Sequence, residues 1–293
     1  MKKRRLIDYM KVIDLDTLAY RAKLVRASDE HKGNAGKVLL IGGDAGMAGA
    51  ILLAARACLH AGAGWTVVSI LDQASAEVMT EQPELMVRLA TLGDCAQVNP
   101  DVIAIGPGLG TSSRAISLVS EALHSDATLV MDADAINALT IETDLLELLR
   151  NRKTAKTILT PHPGEAARLL GISVTEVQAD RLAAYAALVQ QTNAIIVLKG
   201  EGTLVGESLE LVKVCRAGNP GMGTGGMGDV LTGAMAAVLA QAKRHNLTVE
   251  DAVGLAVELH ATAGERLVTR GIGPIGLTPS ELLLEIRNLI NIK

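Results

Sequence analysis

The chain has 293 residues, of which 49% are apolar, and its formal net charge is −4. This is enough material for one large domain or two small ones, and the charge leaves no basic excess for binding a nucleic acid. With no Phe, one Trp and three Tyr, the chain also lacks the aromatic platforms on which single-stranded nucleic acids stack. The most apolar window, residues 47–63, is too short to span a bilayer. We therefore expect no nucleic-acid partner and no membrane.

The cysteine content bears on the cellular compartment. Cys58, Cys95 and Cys215 are widely spaced and show no metal-ligand pattern. An odd, scattered set is typical of reduced thiols. No apolar segment follows the basic start of the chain to form a secretory signal. These features predict a cytoplasmic protein.

Short apolar runs typical of buried strands alternate with helical patterns. The predicted strands are residues 37–41, 65–70, 101–105, 128–131, 157–159, 194–198, 204–205 and 209–214, the last two as a hairpin. The predicted helices are residues 48–60, 113–123, 174–191, 230–243, 249–268 and 279–289. Strands that are apolar on both faces indicate a parallel sheet covered by helices on both sides. We predict one α/β domain over residues 1–293, in which residues 1–30 form an N-terminal helical extension.

Turns and polar residues follow most of these strands. In open parallel sheets, ligands bind at the carboxyl ends of the strands, where such residues gather. The residues at these ends are Asp44, Gly108, Asp132, His162, Glu165, Lys199 and Asp229. Because they fall at one edge of the sheet, we predict the functional site there. Residues 42–46 depart from a dinucleotide-binding loop in their glycine spacing, and we interpret them as a turn that also lines the site.

Residues 218–229 contain six glycines and end at Asp229, directly before an apolar helical pattern. Glycine allows sharp turns and close approach of the backbone to a ligand, and a helix start adds unpaired N–H groups. Together they predict a binding site for phosphate. Residues 223–228 also match the G-x-G-x-x-G motif. However, the acidic residues about 20 positions later, Glu250 and Asp251, begin a helix instead of ending a strand, which excludes a dinucleotide fingerprint.

Three segments allow a structural interpretation beside the functional one. Asp229 is either an acid that complements the helix dipole or a general base that takes a proton from an attacking hydroxyl. Residues 162–165 either start a helix or provide His162 for a substrate and Glu165 for a water-mediated Mg²⁺ contact. Residues 199–203 are either a hairpin connection or a loop that contacts a nucleotide.

Four segments resemble blocks of the ADP/ATP-dependent NAD(P)H-hydrate dehydratases, in the same order along the chain. They are residues 105–110, 159–165, 197–200 and 219–233, of which the last resembles the family's signature. The resemblance runs from about His31 to the C-terminus and is to the bacterial, ADP-dependent type. It implies a ribokinase-like fold, which is a three-layer α/β/α sandwich with a central, mostly parallel sheet.

The resemblance also implies a lyase reaction. NADH or NADPH can add water at C6 of the nicotinamide ring, which gives an unusable hydrate. The family transfers a phosphoryl group from ADP, or alternatively ATP, to the hydroxyl of the S-form of this hydrate, with Mg²⁺ as a cofactor, and then eliminates phosphate. With ADP the nucleotide product is AMP. The implied function is repair of nicotinamide nucleotides, with NADH and NADPH hydrates as alternative substrates.

Carried over to this chain, the resemblance implies three groups of site residues and one metal contact. The catalytic group is Asp229 as the base and the amides of Gly225, Gly226 and Gly228 around the transferred phosphoryl. The hydrate would contact Ala50, Gly108, Gly110, His162 and Asp229. The nucleotide would contact Lys199, Gly200, Glu201, Gly202, Thr203 and Gly228. Glu165 would contact Mg²⁺ indirectly, through water.

The chain departs from the signature at Gly223 and Met227, where we expect Ala and Thr, so we assign the Met227 side chain no function. The resemblance also implies a homo-oligomer, a tetramer or larger. Many relatives carry an epimerase domain for which this chain has no space, so a separate NAD(P)H-hydrate epimerase is the expected functional partner. The first alternative function is a vitamin-precursor kinase of the same fold, which residues 162–165 disfavour. A second alternative is a nicotinamide oxidoreductase, which is disfavoured because the glycine motif lacks the surroundings of a dinucleotide fingerprint. A third is a non-catalytic nucleotide sensor, which is disfavoured because the chain contains Asp229.

Overall fold

The computed structural model describes residues 10–77, 82–153 and 156–292. The strands are β1 Lys11–Asp14, β2 Lys37–Gly42, β3 Trp65–Ile70, β4 Met86–Leu89, β5 Val102–Ile105, β6 Thr128–Met131, β7 Thr157–Leu159, β8 Ile195–Leu198, β9 Thr203–Gly206 and β10 Leu211–Cys215. The helices are α1 Leu18–Arg21, α2 Ala48–His60, α3 Gln73–Ala76, α4 Asp94–Val98, α5 Ser113–His124, α6 Asp134–Ile141, α7 Thr143–Asn151, α8 Pro163–Leu170, α9 Val174–Ala179, α10 Arg181–Thr192, α11 Met227–Ala242, α12 Val249–Thr269 and α13 Pro279–Asn291.

All ten of these strands form a single sheet in the order β1-β10-β9-β8-β7-β6-β5-β2-β3-β4. Neighbouring strands are parallel except at β9, which runs antiparallel to both β8 and β10. The predicted hairpin is therefore the pair β9 and β10. The prediction of a central, mostly parallel sheet is confirmed.

Alternate residues of each strand contribute to two separate cores, because successive side chains in a strand point to opposite faces. Val38 and Leu40 of β2 belong to the core formed with α2, α11, α12 and α13. Leu39 and Ile41 of the same strand belong to the core formed with α5 to α8 and α10. The sheet is thus covered on both faces, and the predicted three-layer sandwich is confirmed. Within the described ranges, no helix has both the length and the apolar content needed to cross a bilayer.

The predicted helical extension at residues 1–30 is wrong over the part that the structure describes, which begins at residue 10. Residues Lys11–Asp14 form strand β1, which pairs in parallel with β10 at the edge of the sheet. The Lys11 amide donates to the Glu210 carbonyl at 2.7 Å, and the Leu15 amide donates to the Val214 carbonyl at 2.8 Å. The only helix described before residue 30 is the four-residue α1. A segment this short makes too few internal hydrogen bonds to be stable as a helix, whereas pairing with β10 satisfies part of its backbone.

The single helix predicted at residues 174–191 is two helices, α9 and α10, separated at Asp180. The Asp180 side chain accepts a hydrogen bond from the Ala183 amide at 3.0 Å and so caps α10. A capping aspartate inside an otherwise helical pattern ends one helix and begins the next. The break places Arg181 at the first position of α10, beside the end of β8.

Helices α2 and α11 are in direct backbone contact on one face of the sheet. A Cβ atom added at Gly233 of α11 would lie 1.8 Å from the carbonyl oxygen of Ala54 in α2. No side chain fits between the helices at this point, so glycine sets their separation. Because α2 carries Ala50 and α11 carries Asp229, this contact also fixes the distance between two predicted site residues.

Replacing Gly233 with alanine should push the two helices apart. We expect Gly233→Ala to lower the free energy of unfolding by about 1–3 kcal/mol, because the added methyl group overpacks the contact. Chemical denaturation with an optical probe measures this change. The matched control is Gly49→Ala in α2, where an added Cβ meets nothing within 4 Å. This control should leave stability unchanged or raise it by about 0.5 kcal/mol through helix propensity, and an equal loss in both variants would contradict the contact argument.

Candidate active site

The predicted site residues lie where the central strands end. Gly108 and Gly110 follow β5, Asp132 follows β6, His162 and Glu165 follow β7, and Lys199 follows β8. The amino end of α11 faces the same place: a Cβ atom on Gly228 would lie 3.1 Å from Nζ of Lys199 and 3.7 Å from Oδ2 of Asp132. The sheet edge and the glycine-rich segment therefore lie together at the place where the strand ends predict a site.

The centre of this site is a buried ion pair. Nζ of Lys199 lies 2.7 Å from Oδ1 of Asp132, and the two side chains are 18% and 2% exposed. The hydroxyls of Thr160 and Thr232 each donate to the Asp132 carboxylate at 2.8 Å. One carboxylate thus connects the ends of β6, β7 and β8 with α11. The strand-end pattern identified Asp132, whereas Thr160 and Thr232 carry no distinguishing signal in the sequence.

The ion pair keeps both of its members charged. Burial opposes ionisation of Asp132, but the charge of Lys199 and the hydrogen bonds from Lys199, Thr160 and Thr232 hold the pKa of the carboxyl below its usual value. Burial likewise opposes the charge on Lys199, but Asp132, Glu165 and Asp229 hold the pKa of the ammonium above its usual value. The site therefore contains a fixed positive charge beneath the start of α11.

The glycine-rich segment ends in a helix amino terminus that presents free donors. Gly226 precedes α11 with φ of 94°, which favours glycine, and Asp229 lies in the first turn. Within the described part of the chain, the amides of Gly225, Gly226 and Gly228 donate to no backbone carbonyl. Unpaired amides at a helix start form an anion site. The three amides are therefore available to bind an anion, and their contact with a transferred phosphoryl stays a prediction.

Asp229 has the electrostatic character of a group that can exchange a proton. Burial raises its pKa to about 7, and the charges of Asp132, Glu165 and Asp134 act in the same direction while Lys199 acts against them. A carboxyl with a pKa near neutrality can act as a general base because it is partly ionised and still basic. An acid that only complements the helix dipole does not need a raised pKa, so the pKa of about 7 favours the interpretation as a base.

Glu165 and His162 form a capping box at the start of α8. The His162 amide donates to Oε2 of Glu165 at 2.7 Å, and the Gly164 amide donates to Nδ1 of His162 at 2.9 Å. Since Nδ1 accepts, Nε2 carries the proton and lies 3.2 Å from Oε1 of Glu165. Burial, with the charges of Lys199 and Arg168, lowers the pKa of His162. Burial also raises the pKa of Glu165 to about 7. The structural and the functional interpretations of this segment are therefore compatible.

The loop that carries Gly108 and Gly110 lies against the helix that carries Ala50. A Cβ atom on Gly108 would lie 3.3 Å from Cβ of Ala50 and 2.6 Å from the Met47 carbonyl oxygen, so the loop after β5 is close against the start of α2. The Gly110 amide donates to Oδ2 of Asp134 at 2.9 Å. Asp134 also raises the pKa of Asp229, which connects this loop with α11.

The predicted nucleotide loop, residues 199–203, is held from behind by a residue that the sequence did not indicate. Arg181 of α10 donates to the carbonyl oxygens of Leu198, Lys199 and Gly202. Gly200 has φ of 132°, and a Cβ atom there would lie 2.9 Å from Nη1 of Arg181. The loop is thus a fixed turn, and Arg181 could be found only from the three-dimensional contact.

The two positions that depart from the signature have different surroundings. The Met227 side chain is 3% exposed and belongs to the apolar core below α11. An added Cβ at Gly223 would meet nothing within 4 Å. His260, for which we predict no function, is buried, and its Nε2 lies 2.9 Å from the Met227 carbonyl oxygen. Burial lowers the pKa of His260 to about 4, so it supports the start of α11 as a neutral side chain.

A family comparison agrees with this geometry. The model of the NAD(P)H-hydrate dehydratases matches residues 38–288, which is most of the chain. The chain belongs to the NAD(P)H-hydrate dehydratase family. The matched region contains every residue assigned above to the site.

Known members of the NAD(P)H-hydrate dehydratase family are similar over nearly the whole chain. The bifunctional NAD(P)H-hydrate repair enzyme Nnr of Coxiella burnetii is 41% identical over 91% of this chain and 52% of its own length. The ADP-dependent (S)-NAD(P)H-hydrate dehydratase of Neisseria meningitidis is 38% identical over 91% of this chain and 88% of its own. The chain therefore spans about half the length of the bifunctional relatives that it matches.

A solved structure of the family has the same fold. The ADP/ATP-dependent NAD(P)H-hydrate dehydratase of Bacillus subtilis, co-crystallized with ATP and Mg²⁺, superposes with a TM-score of 0.81 at 28% identity and covers 96% of this chain and 98% of its own. The ribokinase-like α/β architecture that the resemblance implied is confirmed.

The residues of this family member fit an indirect Mg²⁺ contact better than a direct one. Residues 10–77, 82–153 and 156–292 contain no group of three or more His, Cys, Asp and Glu side chains suited to hold a metal. Both oxygens of Glu165 already contact His162. Mg²⁺ usually keeps several waters and is bound through one or two carboxylates together with substrate phosphates. Glu165 therefore suits a contact through water.

Because the pKa of Asp229 is raised, replacing this residue with an uncharged one should stabilise the fold, and the gain should depend on pH. A folded-state pKa of about 7, against a usual 3.8, means that folding disfavours the ionised carboxylate. The resulting destabilisation is full above pH 7 and disappears as the pH falls toward the usual pKa. We expect Asp229→Asn to raise the melting temperature by about 3 °C at pH 8. Differential scanning calorimetry at pH 8 and pH 5 should show the gain shrinking at the lower pH.

Asp132→Asn is the control with the opposite sign. This variant leaves Lys199 buried without its 2.7 Å partner. Breaking a buried pair costs about 3–5 kcal/mol, so the melting temperature at pH 8 should fall. If both variants are destabilised alike at pH 8, the assignment of a raised pKa to Asp229 is wrong.

Proposed function

We propose that this chain restores NADH and NADPH from the S-forms of their hydrates, using ADP as the phosphoryl donor and producing AMP and phosphate. The observation that carries this proposal is the position of Asp229. Its carboxyl, with a pKa of about 7, lies in the first turn of α11 beside the unpaired amides of the glycine-rich segment. Membership of the family and the name of the Neisseria relative, which specifies ADP and the S-form, support the substrates.

In the first step, the C6 hydroxyl of the hydrate attacks the terminal phosphorus of ADP. Asp229 takes the hydroxyl proton, and the bond from the phosphorus to the bridging oxygen breaks, so that AMP leaves. Ala50, Gly108, Gly110 and His162 would bind the hydrate on one side. Residues 199–203, together with Gly228, would bind the nucleotide on the other side.

Charge stabilisation in this step would come from the backbone and from Lys199. The amides of Gly225, Gly226 and Gly228 are fixed dipoles that need no rearrangement to bind the oxygens of the transferred group. Lys199 adds a positive charge below them, held in place by Asp132. Mg²⁺, when bound, supplies further charge neutralisation at the phosphates, and Glu165 would hold it through water.

In the second step, the phosphate ester at C6 eliminates. Phosphate is a far better leaving group than hydroxide, so the ring nitrogen can expel it with its electron pair. Loss of a proton from C5 then restores the double bond of the dihydronicotinamide. The sum is hydrate and ADP converted to NADH or NADPH, AMP and phosphate, which balances without a further reactant.

The direct test is incubation of the protein with NADH hydrate, Mg²⁺ and ADP. We expect the absorbance of NADH to return and AMP and phosphate to form in equal amounts with it. Parallel reactions with ATP, without nucleotide and with NADPH hydrate define the donor and the substrate. Formation of a stable phosphorylated alcohol without return of NADH would instead support the alternative, a small-molecule kinase of the same fold.

Replacing the proposed base should separate catalysis from binding. We expect Asp229→Asn to lower kcat by about 10³-fold, which is typical for loss of a general base, while calorimetry still detects ADP binding. In the wild-type protein, kcat/KM should fall as the pH drops below about 7, because protonated Asp229 cannot accept the proton. Full activity of the variant, or a flat profile between pH 5 and 8, would refute the assignment of the base.

The remaining expectations are independent of the site. A homo-oligomer, a separate epimerase partner and a cytoplasmic location stay predictions. Size-exclusion chromatography with light scattering would determine the assembly.

A further inference from the structure

Arg181 makes a set of contacts that no step of the proposed reaction uses. Its Nη2 donates to the carbonyl oxygen of Leu198 at 3.0 Å, and to those of Lys199 and Gly202 at 3.4 Å each. Its Nη1 donates to the Lys199 carbonyl at 3.3 Å. The three acceptors lie on both sides of the turn between β8 and β9. A single planar guanidinium therefore connects the end of one strand to the far side of the loop that follows it.

The backbone of this loop is shaped around the guanidinium. Gly200 has φ of 132°, and a Cβ atom there would lie 2.9 Å from Nη1 of Arg181. Only glycine combines this backbone conformation with so close an approach. Thr203 completes the turn by donating from its hydroxyl to the Gly200 carbonyl at 3.0 Å. The loop and Arg181 thus fit each other as one unit.

From this geometry we infer that Arg181 is a positioning residue for ADP binding: it holds residues 199–203 in the conformation that accepts the nucleotide. The inference rests on the proposed function, in which this loop binds ADP. A loop that is already in its binding conformation does not have to be ordered when the ligand arrives, and this raises affinity. Arg181 acts from behind the loop, through three carbonyl groups, and need not touch the nucleotide itself.

The position of Arg181 follows from the break between α9 and α10. Asp180 caps α10, so that Arg181 occupies the first residue of that helix. Its side chain also receives support from Gln178 of α9, whose Oε1 lies 3.3 Å from Nη1. Burial lowers the pKa of the guanidinium, while Glu201 acts in the opposite direction. If one continuous helix ran through residue 180, Arg181 would not lie at the first position of a helix.

The test uses Arg181→Lys in the full chain. Lysine keeps the positive charge but lacks the planar fork that serves several acceptors at once. We expect the dissociation constant of ADP, measured by calorimetry, to rise about tenfold. The KM for NADH hydrate at saturating ADP should stay within about twofold of the wild-type value, because the hydrate side of the site is untouched. If Arg181 only stabilised the fold, Arg181→Lys would not weaken ADP binding while leaving the KM for NADH hydrate unchanged.

Arg152→Lys is the matched control. Arg152 is also a partly buried guanidinium that donates to several backbone carbonyls, including those of Leu123 at 3.2 Å and Ser125 at 2.7 Å. These acceptors precede β6, at the amino ends of the strands and opposite the site. Both variants should lose thermal stability, but only Arg181→Lys should weaken ADP binding. Equal ADP affinity in the wild type and in Arg181→Lys, or equal weakening in both variants, would overturn the inference.

A second variant addresses the same contact from the loop. Gly200→Ala keeps Arg181 but places a methyl group against Nη1. We expect a similar rise in the dissociation constant of ADP, again without a change in the KM for the hydrate. If the wild-type protein itself binds no ADP, the proposed function fails and the inference falls with it. If the wild type binds ADP and Arg181→Lys binds it equally well, the inference alone fails.

Discussion

The ion pair between Lys199 and Asp132 is the interaction on which the site depends. It brings together the ends of two strands, and the Asp132 carboxylate extends the connection to Thr160 after β7 and Thr232 in α11. Two charges at this depth are tolerated only because each is the other's partner and the remaining oxygen sites accept hydrogen bonds. The ion pair therefore connects the sheet to α11 through polar contacts, whereas the two layers otherwise pack through apolar side chains.

Beside this pair, Asp229 and Glu165 differ from ordinary surface acids. Burial of the two carboxyls raises their pKa values to about 7. The charge of Asp132 acts in the same direction as burial, and the charge of Lys199 acts against it. A site with three acids and one ammonium holds a proton readily near neutrality, which suits the proposed function of Asp229 as a base. Fixed amides and Arg181 complete the arrangement without adding a further mobile charge.

Much of this could be predicted from the sequence, and the failures have physical causes. The bounds of α2 and β3 agree with the predictions because uninterrupted apolar periodicity ends at clear turns. The rule that ligands bind at the carboxyl ends of parallel strands correctly predicted one shared edge of the sheet for five residues: Asp132, His162, Glu165, Lys199 and Asp229. Strand β1 was missed because four residues carry too little periodicity, and pairing with β10 decides their conformation. Arg181 was missed because the prediction passed through the helix break at Asp180, and its carbonyl acceptors converge only in three dimensions.

The absence of a side chain at Gly233 has a consequence for how the proposed substrate site could change. The backbones of α11 and α2 are in direct contact at Gly233. The distance between the two helices can therefore not increase in small steps, because the smallest replacement for glycine adds a whole methyl group. A wider cleft for a bulkier ring cannot arise by gradual loosening of this contact. Under the proposed function, divergence toward other alcohols would instead have to proceed through side chains, with the predicted hydrate contact Ala50 as the first candidate.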